Sequence, residues 1–114
     1  MKLIKSFRCA FNGIKYALEE KTIRILFIIA LMVIILMFYF PLSFIERSIL
    51  FLCISFVLGL ELMNSQVEKT LDIVKPEFCK EVRKIKDISA GAVLIASLGT
   101  LIVGILIFLP YIMG

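Results

Sequence analysis

Glu61, Asn64, Glu68 and Asp72 interrupt an otherwise apolar stretch, LGLELMNSQVEKTLD, at residues 58–72. At 100° per residue the last three fall at about 300°, 340° and 20° from Glu61, so all four share an arc of about 80° on a helix. Carboxylates and an amide suit Mg²⁺, a hard ion that binds few protein oxygens and completes its shell with water and phosphate. A carboxylate held at a lipid interface could take a proton from a lipid hydroxyl. Two further charged groups flank the apolar runs, Glu19 and Glu20 before the first and Lys86 with Asp87 before the last. A lysine there could neutralise a phosphate, and together these are the parts of a phosphoryl-transfer site.

The elements that must carry these residues are set by composition. The 114 residues are 61% hydrophobic with a mean hydropathy of +1.06. A soluble domain of this size could not hide so much apolar surface, so the chain is read as a single all-α integral membrane domain over residues 1–114. There is no histidine, and Cys9, Cys53 and Cys79 are odd in number and far apart. That excludes a disulfide framework and a structural zinc site. No GxxxxGK[ST] or GxGxxG run is present, so a nucleotide site would be of neither kind. The net charge of +4 is read as membrane topology, not nucleic-acid binding.

Residues 2–20 predict an amphipathic helix on the membrane surface. Leu3, Ile4, Phe7, Ala10, Phe11, Ile14, Tyr16 and Leu18 face Lys2, Lys5, Arg8, Asn12 and Lys15. Gly13 marks a bend or a close contact. Spans are expected at about 24–41, 47–74 and 87–110. Glu46 and Arg47 would form the turn between the first two, Pro76 would end the second, and residues 73–87 would form a charged connection. Only thirteen uncharged residues, 48–60, open the second span, about 20 Å of a hydrocarbon core about 30 Å thick. The helix must therefore continue to about residue 67, which puts Glu61 and Asn64 within the leaflet, Glu68 at its boundary and Asp72 outside. Ala92, Ala96, Thr100 and Gly104 form a small-residue face on the third span that another helix could approach. Six basic residues precede span one, Arg47 alone follows it, and six more lie between spans two and three. The positive-inside rule then gives a cytoplasmic N-terminus and a cytoplasmic site.

At these residues the chain resembles the small prokaryotic diacylglycerol kinases, a family that includes undecaprenol kinases. The resemblance lies in E-L-M-N-S-Q-V-E-K-T-L-D (Glu61–Asp72), K-D opening span three (Lys86, Asp87), A-F-N-G-I-K-Y-A near the N-terminus, and the step from Glu20 to Arg24 and Ile25. It covers nearly the whole chain. It implies a homotrimer in the bacterial cytoplasmic membrane with active sites between subunits, using ATP, Mg²⁺ and a membrane lipid alcohol. By the same resemblance Glu61 is the general base, and Glu20 and Glu68 are the metal ligands. Glu20, Asn64, Glu68, Asp72, Lys86 and Asp87 bind nucleotide, and Ala10, Gly13 and Glu61 line the lipid site. The chain departs from the family pattern in three places. It is one residue short between Gly13 and the glutamate, which makes Glu19 a rival of Glu20. Leu26 stands where many members carry histidine, and Gln66 stands where a small residue is usual.

Other readings accompany this one. Taken singly, Asp72, Lys86 and Asp87 read as ordinary interfacial charges, and the cysteines as plain packing residues. Buried carboxylates also serve proton or cation conduction in small oligomers. A membrane subunit that only packs through its third span would use the small-residue face alone.

Overall fold

The computed structural model describes residues 1–77 and 79–114. Four helices follow one another, α1 (Lys2–Ala17), α2 (Lys21–Tyr39), α3 (Phe44–Val74) and α4 (Lys80–Met113). The last three are long and apolar enough to cross a membrane. The fold is therefore the expected surface-type helix plus three spans.

Large apolar side chains lie exposed along all of α2, α3 and α4, among them Ile28, Met32, Phe56, Ile95 and Leu106. In water such a surface would associate; in lipid it is the face that hydrocarbon solvates. The apolar side of α1 is exposed as well, at Leu3, Ile4, Phe7 and Phe11, as suits a helix lying at an interface. Gly13 does not bend it, since α1 runs unbroken through that residue and a Cβ there would meet nothing within 4 Å.

The α2–α3 junction is built from local rules. Pro41 disfavours helical backbone at the residue before it, and Phe40 is extended, at φ −85° and ψ 148°. Ser43 then caps α3: its hydroxyl accepts from the Glu46 amide at 3.1 Å, and the Glu46 carboxylate accepts from the Ser43 amide at 2.9 Å. The run S-F-I-E is thus a capping box. Glu46 and Arg47 are not the turn expected of them; they form the first turn of α3, and the bend lies at residues 40–43. Arg47 reaches back to the end of α2, donating to the carbonyls of Met37 (3.2 Å) and Phe40 (3.4 Å) with its guanidinium 5.3 Å from the Phe38 ring centroid. The Met37 carbonyl is one of those that a helix end leaves without an intrahelical partner, and the Phe40 carbonyl also accepts from the Leu42 amide at 2.8 Å. Tyr111 of α4 donates to Glu46 at 2.6 Å and draws the third span into the same knot.

Beside these polar contacts lies the buried cluster of Met37, Leu42, Leu50 and Ile107. The three spans are therefore packed together at the α2–α3 junction. Farther along they enclose an open apolar groove of about 500 Å³, lined in part by Ala30, Val57, Ser97, Thr100 and Gly104. The small side chains of α4 open space here that none of the described residues fills.

The helix ends do not coincide with the expected spans, most of all in α4. α4 begins at Lys80 and not near residue 87, because the charged run K-E-V-R-K-I-K contains good helix formers and no breaker. The connection shrinks from 73–87 to residues 75–79. Pro110 does not end α4, which continues to Met113; isolated prolines are tolerated in spanning helices. Because capping residues contribute about 1 kcal/mol, Ser43→Ala is expected to lower stability by that order. Thermal unfolding in detergent measures it, with Ser55→Ala, outside the junction, as a control expected to change little.

Candidate active site

The site lies at the opposite end of α3, where the α1–α2 corner meets it. Ala17 and Ile23, on either side of that corner, are buried. They fix Glu20, the extended residue that precedes α2. Its two carboxylate oxygens are both engaged by α3. Lys69 Nζ lies 2.5 Å from Oε1, and the Ser65 hydroxyl donates to Oε2. The Lys69 contact, then the Ser65 hydrogen bond, hold the Glu20 carboxyl below the usual carboxylate range. Glu19 is exposed. Of the two rivals, Glu20 is the one joined to α3.

Glu61 is half-buried, Asn64 is buried, and Glu68 and Asp72 are exposed. The carboxylates of Glu68 and Glu20 both lie close enough to Glu61 to act on it electrostatically. The three glutamates expected of the site thus lie at the same end of the molecule, without converging on a single point. Asn64 stands within this group with only 8% of its surface exposed. Among the described residues its Oδ1 atom has no hydrogen-bond partner. A buried acceptor left open costs free energy, and here it is an acceptor available to a donor the chain does not supply.

Lys86 reaches across from α4 to Asp72 at 2.6 Å and joins the two helices one turn beyond Glu68. Asp87 is exposed and pairs within its own helix with Arg83, at 3.4 Å. It is not brought to the α3 groups. Ala10 and Gly13 lie exposed on α1, with no contact that joins them to the carboxylates. Gln66, which stands where the family usually has a small residue, is exposed at about 140° from Glu61 around α3, off the arc shared by Glu61, Asn64, Glu68 and Asp72.

Ser65 and Lys69 are the residues that the sequence analysis passed over. Their signal was present, for they stand at about 40° and 80° from Glu61 and extend the polar face along one flank. They stand four residues apart, the spacing that lets two helical side chains grip one group.

Among the described residues no three His, Cys, Asp or Glu side chains converge tightly enough to hold a metal ion unaided. Mg²⁺ asks for less, since one or two carboxylates suffice when phosphate and water complete its shell. Glu20 and Glu68 beside the open Asn64 acceptor fit that requirement.

Three helices long and apolar enough to cross a membrane, with carboxylates at one end of the polar face of α3, are the frame of an integral membrane protein. The family model for prokaryotic diacylglycerol kinase matches residues 8–108, and the chain belongs to that family. It is similar to an undecaprenol kinase of Bacillus subtilis (strain 168), 36% identical over 110 residues that cover 96% of this chain and 89% of that one. It is also 36% identical to a diacylglycerol kinase of Synechocystis, over 95% of this chain and 63% of that protein. A diacylglycerol kinase of Helicobacter pylori (strain 26695) is 35% identical over 82% of this chain and 74% of its own length. The chain is thus a kinase by family, and the conducting-channel reading is not favoured.

The Glu20 contacts carry a pH signature. Its folded-state pKa is below the ordinary value of 4.5, so in the window between the two the unfolded chain binds more protons. The stabilisation is full above the unfolded value and is lost as pH falls through the folded one. Glu20→Gln is therefore expected to be less stable than wild type at pH 6, with the difference shrinking below about pH 4. Denaturation in an acid-tolerant detergent at the two pH values reads it.

Proposed function

We propose that this chain is an ATP- and Mg²⁺-dependent kinase of a membrane lipid alcohol, working at the cytoplasmic face of the bacterial membrane. The observation that carries this reading is the half-buried Glu61 beside the unpartnered Asn64 oxygen, inside a helix whose neighbouring groups are carboxylates. An ionisable side chain at such a depth marks a functional site by default.

In this reading Glu61 is the general base. The lipid oxygen bonds to the γ-phosphorus while the bond from phosphorus to the ADP oxygen breaks, and the hydroxyl proton passes to Glu61. Asn64 holds a donor, either the lipid hydroxyl or a group on the nucleotide, through its open Oδ1. Glu20 and Glu68 would hold Mg²⁺, which when bound supplies charge neutralisation for the phosphates. Lys86 and Asp72 lie on the water side for the nucleotide, and Lys86 is the cation suited to a phosphate. Asp87 and the α1 residues Ala10 and Gly13 complete the site from positions that a second subunit could approach.

A homotrimer is part of the proposal. The exposed faces of the spans and the open groove beside Gly104 support it. The distribution of basic residues supports a cytoplasmic N-terminus and site. The alcohol is undecaprenol or diacylglycerol, and the near full-length similarity to the Bacillus undecaprenol kinase supports undecaprenol.

Purified protein given MgATP and each lipid side by side is expected to phosphorylate one of them. Glu61→Gln should cut kcat by about 100-fold or more, the range of a lost general base. Failure to transfer phosphate to either lipid, or full activity of Glu61→Gln, would refute the reading.

A further inference from the structure

Lys69 has no place in the mechanism above, yet it makes the shortest ion pair of the described residues, and it makes it with a proposed metal ligand. We propose that Lys69 is a positioning residue that competes with the divalent ion for Glu20. Paired, it holds the carboxylate against α3; it must leave Oε1 before that oxygen can take up the ion. The inference rests on reading Glu20 as a metal ligand.

Three observations carry it. Both Glu20 oxygens are engaged, one by Lys69 and the other by Ser65. A cation arriving at Oε1 therefore meets an ammonium already there, and like charges within a few ångströms repel, here weakened by the water that reaches Lys69. The two partners of Glu20 are also unequal. The Lys69 side chain is 57% exposed while that of Glu20 is 23% exposed. Lysine is a point charge on a flexible four-carbon stem, so Lys69 is the member free to move away. Finally, Ser65 is uncharged and buried. It keeps its hold on Oε2 when the ammonium leaves, so the carboxylate stays aimed at the site. Lys69 also follows Glu68 directly in the chain, so its charge bears on both proposed ligands.

The roles divide by charge. Ser65 orients without competing, while Lys69 orients and competes. Replacing Lys69 by methionine keeps most of the stem and removes only the charge. The test is Mn²⁺ binding to the purified full-length protein in detergent without nucleotide, read from the EPR signal of the free ion. An exposed ion pair is worth about threefold in a binding constant, so Lys69→Met is expected to bind Mn²⁺ about threefold more tightly than wild type. Lys69→Arg, which keeps the charge, should stay near wild type. Glu20→Gln should weaken binding and abolish the gain from Lys69→Met. If Lys69→Met binds no more tightly while Glu20→Gln weakens binding, the competition is refuted and Glu20 stands as a ligand. Tighter binding by Lys69→Arg as well would refute it too, because charge would not be the agent. If Glu20→Gln leaves Mn²⁺ affinity unchanged, the ligand reading fails and the competition falls with it. Thermal unfolding of each variant separates these outcomes from misfolding.

Discussion

A hydrocarbon layer about 30 Å thick and a helix of 31 residues, about 46 Å long, do not match. The surplus of α3 decides where everything else sits. At its first turn the helix has a cap, an arginine folded back on its neighbour and a tyrosine from α4. At its far end it has carboxylates, an amide and a lysine. The first end is an anchor made of satisfied groups. The second end holds an open acceptor and like charges that face one another. Such an arrangement is costly for stability and useful for chemistry.

The two ends also explain the loose middle. Packing is tight around Met37 and Leu50, and polar contacts tie the other end through Glu20 and Lys86. Between them the small side chains Ala30, Ser97, Thr100 and Gly104 line an apolar groove. In a bilayer, helices gain little from burying leucine against leucine, since lipid tails are equally apolar. Contacts at both ends can therefore hold three spans while leaving the centre unfilled.

Much of this was legible in the sequence. The three spans follow from uncharged length, and the polar face of α3 from a 100° rotation per residue. What was misread came from treating charge as an end to helix. Lys80–Lys86 carry charge and are helical all the same. Glu46 and Arg47 look like a turn by charge alone, but S-F-I-E spells a cap that begins three residues before Glu46. Choosing Glu20 over Glu19 lay beyond sequence, because both precede α2 and only the corner held by Ala17 and Ile23 decides which one meets α3. The resemblance places Lys86 and Asp87 in one site, and neighbours on a helix point about 100° apart, so within one chain their partners differ. Lys86 reaches α3 and Asp87 does not.

The short α2–α3 junction bears on how the protein enters its membrane. With the proposed cytoplasmic N-terminus, the junction between these antiparallel spans must be carried through the hydrocarbon during insertion. Its charges are Glu46 and Arg47, which cancel. The membrane potential exerts about 2.3 kcal/mol per elementary charge per 100 mV, and on a neutral pair it exerts no net pull. The partners of both residues within the hairpin, Ser43 and the carbonyls of Met37 and Phe40, are present before α4 is synthesised. Only Tyr111 comes later. In that topology the hairpin can cross with its polar groups already matched, and the last turn of α4 closes the junction once α4 is made.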